Sequence, residues 1–439
     1  MDDLERYLDR KAREIALING CLARPLALER ARSVAEVIDV KFRIAGALRA
    51  ERSMESWAIT ETARPEVQRW RVGAYRFSFG YQRADLKVSG PPIYPALDVE
   101  DDSLHAETIY TSAGMSAIAS LVAALVHLRG HVRVLAAEGC YGETRELLES
   151  LAPRVTIDEL RDGATQGARS GDETTVLLLD ASLSAGFGAY RSYARADVDL
   201  VIFDTTCFWR DASRTRAVLR WATRCRLPLA LVRSHAKLDA LGIEYGRLGS
   251  IVLAWNGRDD AHAWMPALFQ AVDAAVRLYG AAALPAHFPP FAGTAEYARC
   301  SVARTAMIVR ATRRMVRRLG AALPGVQAYQ HGLYLALVPG GEFKIRNAKR
   351  AAATLCDALS KEGHPVKHAG SFGFDFIAME WFPEPTLKRH AIRVTGADLP
   401  GDVIDDVSAA IERWWTRNHL DRAPRSEDDP ALPAALETA

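Results

Sequence analysis

Residues Leu227 to Ser250 run LPLALVRSHAKLDALGIEYGRLGS. The opening, Leu227 to Val232, is a short apolar run of the kind that forms a buried strand. It breaks into Ser234-His235-Ala236-Lys237, and Leu238 to Ser250 is rich in turn formers before a second apolar run, IVLAW. A lysine just past a buried strand is partly desolvated, and its amine then becomes nucleophilic enough for a Schiff base. A solvated surface lysine is the ordinary alternative for any single position. Lys237 stands out by its company, with Ser234 before it, Arg247 after it and an aspartate closing an earlier strand.

Moving outward, strands and helices alternate. TIYTS (108–112) reads as a strand, and Ala113-Gly114-Met115-Ser116 opens an apolar helix, Ala117 to Leu128. VRVLAAEG follows as a strand, and Tyr141-Gly142-Glu143-Thr144 opens the next helix. Then come TTVLLLDAS, VDLVIFDTT, a helix from Asp211 to Cys225, LPLALVRS and SIVLAW. Near-continuous apolar strands between helices predict a mainly parallel sheet covered on both faces. Ligands in such sheets gather at the carboxyl ends of strands, where Ser112 to Ser116, Tyr141, Asp180, Asp204 and Lys237 fall.

The flanks differ. Leu4, Tyr7, Leu8, Ala12 and Ile15, then Val34, Val37, Ile38, Phe42 and Ala45, recur at helical spacing. Residues 70–105, with AYRFSFGYQR and Gly90-Pro91-Pro92, read as an irregular arm of the kind that crosses to a neighbouring subunit. Helical runs at 261–279 and 302–319 lead to GLYLALVP, a helix from Ala348 to Glu362, SFGFDFIAMEWF, HAIRVTGA and a closing helix at 401–416. The boundaries expected are an N-terminal helical segment and arm (1–105), a large domain (106–300), a small α+β domain (301–420) and a disordered tail (421–439).

Whole-chain properties narrow the classes. A net charge of +2 gives no field to draw in nucleic acid or acidic membrane. No apolar run reaches the roughly 18 residues of a membrane span. MDDLERYLDRKAR lacks the apolar core of a signal peptide. Cysteines 21, 140, 207, 225, 300 and 356 are too irregularly spaced for a disulfide framework or a zinc motif, so the expected location is the reducing cytoplasm.

Each candidate site residue has two readings. The turn at Gly114 offers backbone N–H groups to a phosphate, although many α/β proteins have such a turn without one. Tyr141 either stacks on a planar ring or packs as a half-buried aromatic. A carboxylate at Asp204 needs a partner, either a protonated pyridine nitrogen or a nearby arginine. Asp180 could take the same job or bond a cofactor's phenolic oxygen. Arg393 either grips a substrate carboxylate or sits on the surface.

These motifs, in this order, resemble the fold type I pyridoxal phosphate (PLP) enzymes, and most of all the Cys/Met-metabolism group that includes cystathionine gamma-synthase and methionine gamma-lyase. Ser112-Ala113-Gly114-Met115-Ser-Ala-Ile is similar to that family's S-x-G-M-x-A-I phosphate turn. Tyr141-Gly142-Glu143-Thr144 is similar to its Y-G-x-T, Ser234-His-Ala-Lys237 to its S-x-T-K, and Ser371-Phe-Gly373 with Ile392-Arg393-Val394 to its S-x-G and carboxylate-binding arginine. Tyr81-Gln-Arg83 stands where the family has a Y-x-R pair that reaches the phosphate of the neighbouring subunit. The resemblance covers about residues 75–415. It implies a large domain with a mainly parallel seven-stranded sheet, a smaller α+β C-terminal domain, PLP on Lys237, and a homodimer or homotetramer whose sites are shared across the dimer interface.

Departures bear on the chemistry. Ala236 replaces the family's phosphate-binding Thr, for which the resemblance to the aminotransferases implies Arg247 as the substitute, and the methionine lyases' thiol is absent at the Tyr141 turn. Asp204 is the match to the family's D-N-T aspartate, with Asp180 in reserve. The resemblance implies an amino-acid substrate and gamma-elimination or gamma-replacement through quinonoid and vinylglycine-type intermediates, S-adenosylmethionine being one substrate with a suitable leaving group. An aminotransferase or decarboxylase is the alternative enzyme, and a non-catalytic PLP-fold binding protein is the rival outside catalysis. No nucleic-acid or membrane partner is expected.

Overall fold

The computed structural model describes residues 2–60, 68–73, 75–79, 87–89, 104–137, 140–160, 173–180, 188–209, 212–323, 326–328, 332–339, 344–384, 389–418 and 420. Tyr81, Arg83, the Gly-Pro-Pro cluster at 90–92 and the tail from 421 lie outside these residues. Two helices open the chain, α1 (Asp3–Asn19) and α2 (Val34–Thr60), followed by β1 (Gln68–Val72), β2 (Tyr75–Phe79) and β3 (Lys87–Ser89). Next come β4 (Leu104–Thr111), α3 (Gly114–Arg129), β5 (Val132–Ala136), α4 (Gly142–Ser150), β6 (Val155–Glu159) and β7 (Thr174–Leu179). The chain continues through β8 (Leu200–Asp204), α5 (Ser213–Arg224), β9 (Leu229–Ser234), β10 (Gly249–Asn256) and α6 (Met265–Leu278). It ends with α7 (Ala295–Ala322), β11 (Val326–Ala328), β12 (Tyr334–Leu337), α8 (Ile345–Lys361), β13 (Val366–His368), β14 (Ile377–Glu384), β15 (Arg389–Thr395) and α9 (Gly401–Arg417).

The central sheet has seven strands in the order β4-β10-β9-β8-β7-β5-β6. Neighbours from β9 through β6 pair in parallel, and β10 runs antiparallel to both β4 and β9. Alternation along each strand fills two cores. Val176, Leu178, Ile202, Ala230 and Val232 face α3 and α6, while Leu177, Leu179, Val201, Phe203 and Leu231 face α5 and Tyr190. Every residue of β7 is buried, and after Thr174 and Thr175 it continues as an unbroken apolar run, Val176 to Leu179. A second sheet of five strands, β11-β12-β15-β14-β13, packs on α7, α8 and α9. The architecture is therefore a mainly parallel α/β layer with a smaller sheet unit. No helix among the described residues is long and apolar enough to cross a membrane.

One expectation is corrected. The stretch read as an irregular arm contains a three-stranded antiparallel sheet, β1-β2-β3. Tyr75 and Phe77 alternate inward at period two, and both rings meet Phe288, with centroids 5.0 and 4.9 Å away. The aromatics of AYRFSF thus mark a half-buried strand.

A buried ionic cluster joins the first helices to the rest. Lys11 and Glu14 from α1, Lys41 from α2, Arg304 from α7, Asp375 before β14 and Asp398 before α9 are all buried. Lys11 Nζ reaches Asp375 and Asp398 at 2.7 Å each, Lys41 Nζ reaches Asp375 at 2.8 Å and also Glu14, and Arg304 Nη1 reaches Asp375 at 2.5 Å. Three cations face three carboxylates, as burial of charge requires. The cluster also touches backbone near Lys237. Lys41 Nζ donates to Leu241 O at 2.7 Å, and Arg304 Nη2 donates to Gly373 O at 2.8 Å.

Candidate active site

The turn that carries Lys237 is pinned at both ends. Ser234 closes β9, its N–H donating to Thr206 Oγ1 at 2.9 Å, and the His235 N–H donates to Leu248 O at 2.8 Å. Four buried polar side chains brace it from below. Arg233 forks onto Asp239 at 2.6 and 2.7 Å and donates to Phe208 O at 2.9 Å. His235 lies between Asp239 (Nδ1 to Oδ2, 2.7 Å) and Ser250 (Nε2 to Oγ, 2.8 Å). Burial lowers the imidazole pKa against the pull of Asp239. Burial would raise the Asp239 carboxyl, yet the Arg233 charge and hydrogen bonds, aided by His235, hold it well below the usual carboxylate range. A neutral His235 then donates to Asp239 and accepts from Ser250, clamping residues on both sides of Lys237.

Lys237 itself is half-buried. Its Nζ lies over two aromatic rings, 4.7 Å from the centroid of Phe372 and 6.0 Å from that of Tyr141. Tyr141 stands just before α4, where its N–H donates to Asp180 Oδ2 at 2.7 Å. Burial, and after it the Glu143 carboxylate, push the Tyr141 hydroxyl up, so it stays protonated. Asp204, at the end of β8, accepts from the Thr206 N–H at 2.8 Å. Burial raises its carboxyl pKa, while Thr206, then Lys237 and Arg233, pull it down. The net direction is upward, because burial outweighs these stabilising partners. Cys207, two residues past Thr205, is pushed up to about 12 by burial, against the lowering charges of Lys237 and Arg393.

The small-residue turn meets the same corner. A Cβ on Gly114 would lie 3.0 Å from Ser234 Cβ, a tight contact, so glycine eases the close approach of β9 and the start of α3. Ala113 caps α3 without a side-chain hydrogen bond, which leaves the first N–H groups of the helix to other acceptors. Ser112 Oγ lies 3.0 Å from Ser116 Oγ, and Met115 Sδ accepts from Thr144 at 3.9 Å. Arg247 lies beyond, exposed, with its carbonyl 2.9 Å from His287 Nδ1.

The five-stranded sheet supplies the opposite wall. Arg393, half-buried on β15, is within electrostatic reach of Tyr141 and Cys207. Its Nη2 reaches Glu380 Oε2 at 2.6 Å, and its guanidinium lies 5.6 Å from the Tyr334 ring centroid. Ser371 and Phe372 precede Gly373, which sits at φ +91°. A Cβ on Gly373 would lie 2.9 Å from Lys237 O. Gly373→Ala is therefore expected to destabilise the fold by about 1–3 kcal/mol, the scale of a forced left-handed residue. A urea midpoint equal to that of the unchanged protein would show that the two turns are not in contact.

The structure thus gathers Ser112 to Met115, Tyr141, Asp180, Asp204, Ser234, Lys237, Ser371 and Arg393 around one corner, with Arg247 on its outer side. Sequence reading passed over Phe372, Thr206, Glu380 and the Arg233–His235–Asp239–Ser250 brace. For Arg233 and His235 there was a signal, since two ionisable residues closing an apolar strand need buried partners. Asp180 and Asp204 separate here. Asp180 Oδ2 accepts from the Tyr141 N–H, and Asp204 is within electrostatic reach of Lys237. An amine over aromatic rings, a desolvated carboxyl, hydroxyls and uncapped helix N–H groups form a donor set that fits a phosphorylated aromatic aldehyde with a basic ring nitrogen.

Comparison with known proteins gave no matching family profile and no matching curated protein. Solved structures do match. A high-resolution structure of SPT with a PLP internal aldimine is 13% identical with a TM-score of 0.50, over 71% of this chain and 73% of that one. Apo CalE6, a methionine gamma lyase from Micromonospora echinospora, is 19% identical with a TM-score of 0.48, over 69% and 80%. A cystathionine gamma synthase from Xanthomonas oryzae pv. oryzae in complex with aminoacrylate and cysteine is 14% identical with a TM-score of 0.47, over 70% and 82%. The likeness to SPT bears on fold, and the fold is that of the fold type I PLP enzymes.

Proposed function

We propose that this fold type I chain is a PLP-dependent enzyme acting on an amino acid, with gamma-elimination or gamma-replacement as its reaction. The observation that supports it most is the Lys237 amine, held over the Phe372 and Tyr141 rings with the raised carboxyl of Asp204 in electrostatic reach. Bound there, the cofactor supplies an aldehyde that captures amines and an electron-poor ring that acidifies the adjoining carbon. Lys237 Nζ would hold the aldehyde as nucleophile, and the same amine would serve as the base for protons at the alpha and beta carbons. Tyr141 plates the ring. Asp204 would keep a positive charge on the ring nitrogen, and Asp180 fixes the backbone of Tyr141. Ser112, Ala113, Gly114, Met115 and Ser234 supply phosphate donors at the start of α3, with Arg247 at their outer edge. The working form is a homo-oligomer in the cytoplasm, and the phosphate contacts expected of Tyr81 and Arg83 fall outside the described residues. Arg393 and Ser371 take the substrate carboxylate.

Supplied with PLP, the purified protein is expected to absorb near roughly 420 nm, as protein-bound PLP imines do. Borohydride should fix the cofactor on the peptide containing Lys237, and Lys237→Ala should lose both signals. A protein that stays colourless with added PLP sinks the proposal and leaves a non-catalytic scaffold. Transamination is the second reading, favoured by the placing of α5 between Asp204 and β9. In deuterated water, exchange of an O-acylhomoserine at alpha and beta carbons supports gamma chemistry, and exchange at alpha alone supports transamination.

A further inference from the structure

Arg393, to which the proposed function assigns the substrate carboxylate, already has an anionic partner. Glu380 lies directly across from it in the β14–β15 register, and its Oε2 is 2.6 Å from Arg393 Nη2. Arg393 Nε, on the same guanidinium, is buried and has no hydrogen-bond partner among the described residues. The arginine is therefore half-engaged. A bidentate carboxylate would satisfy Nε and Nη2 together, and such a ligand competes with Glu380 for the charge at Nη2. Gly370 leaves the Glu380 carboxylate its place, since a Cβ there would lie 2.7 Å from Oε1. The Glu380 side chain is 30% exposed, and its Cβ is fixed on the strand directly opposite Arg393.

Resting on the PLP reading, we propose that Glu380 selects the substrate class, namely amino acids whose side chain carries a positive charge, such as a sulfonium or an ammonium. Charge bookkeeping gives the reason. Before binding, Arg393 and Glu380 neutralise each other. A substrate carboxylate takes Arg393 and leaves a partly buried carboxylate unpaired, which is unfavourable. A cation a few bonds along the same substrate restores the pairing, because directly opposed residues have Cβ atoms roughly 4.5–5.5 Å apart and the freed Glu380 remains beside the bound molecule. A neutral side chain offers no such compensation. The pair thus discriminates against ordinary apolar amino acids and passes those that replace both partners at once.

The test uses PLP-loaded full-length protein and two ligands that differ by one methyl and one charge, L-methionine and S-methyl-L-methionine. Dissociation constants come from the change in the visible band on titration. The unchanged protein is expected to bind the sulfonium about tenfold more tightly or better. In Glu380→Gln the preference should vanish and L-methionine should bind several-fold more tightly than before, a gain that a merely structural residue would not produce. Glu380→Ala should behave the same way, and the ratio of the two constants within each protein controls for any loss of folded material. Equal binding of the two ligands by the unchanged protein, or a preference that survives both substitutions, overturns the assignment while the band shows that the PLP reading stands. A protein with no visible band in any form overturns both.

Discussion

Asp204→Asn is expected to slow alpha-proton exchange of a bound amino acid by on the order of 10²–10³-fold, the scale lost when one group that stabilises developing charge in an enclosed site is removed. The argument starts from burial. The Asp204 carboxyl is raised by its surroundings, and what lowers it is positive charge at Lys237 and Arg233 and the hydrogen bonds of Thr206. On the PLP reading a cationic ring nitrogen would add to that list, and the ionised carboxylate would in turn keep the nitrogen protonated. Asparagine keeps the shape and the Thr206 hydrogen bond but carries no charge, so the fold and the Lys237 linkage should persist while the carbon acid weakens. Deuterium incorporation followed by proton NMR measures it. Asp180→Asn is the comparison, expected to cost less, since the Tyr141 N–H needs only an acceptor at Oδ2 and an amide oxygen supplies one. Exchange at the original rate in Asp204→Asn, with loss in Asp180→Asn, would reverse the two roles.

How much of this was legible in the sequence depended on whether a feature is local. The strands β7, β8 and β9 announce themselves because parallel strands buried on both faces admit almost nothing polar, and Leu177, Val201 and Leu231 need no context to be read. Gly114, Tyr141 and Lys237 were legible because each stands where a strand gives way to a turn. The hairpin at Gln68–Phe79 was missed since its partner, the Phe288 ring, arrives more than two hundred residues later. Glu380 escaped for a similar reason. Thirteen positions separate it from Arg393, and only the antiparallel register sets them opposite each other. Asp375, Asp398 and Arg304 looked like ordinary charges scattered along the chain, because nothing in the sequence says that Lys11 and Lys41 will be buried beside them.

That cluster leads to the largest expected effect on stability. Arg304→Met should lower the unfolding free energy by about 3–5 kcal/mol, the usual result of removing one partner from a buried charge network. The remaining carboxylates of Asp375 and Glu14 would keep only Lys11 and Lys41 as counter-charges. The shift in the urea midpoint measures the loss, and an unchanged midpoint would mean that water reaches these groups. Acid offers a second route to the same network. Burial alone would raise the Asp375 and Asp398 carboxyls, but the neighbouring cations, Arg304 and Lys11 foremost, hold Asp375 well below the usual value and Asp398 below it. A carboxyl lowered on folding contributes stability that is complete above the unfolded value, about 4, and that drains away as pH falls below it. Between neutral pH and pH 3 the unchanged protein should therefore lose stability more steeply than Asp375→Asn, which no longer has that carboxyl to titrate. The site should report the damage as well. Arg304 holds Gly373 O and Lys41 holds Leu241 O, so the cluster grips the turn that follows Lys237 and the Gly373 turn packed against it. Arg304→Met should then bind PLP more weakly even where most of the protein remains folded, while an exposed control such as Arg314→Met, whose Asp405 partner lies at the surface, should leave PLP binding as it was.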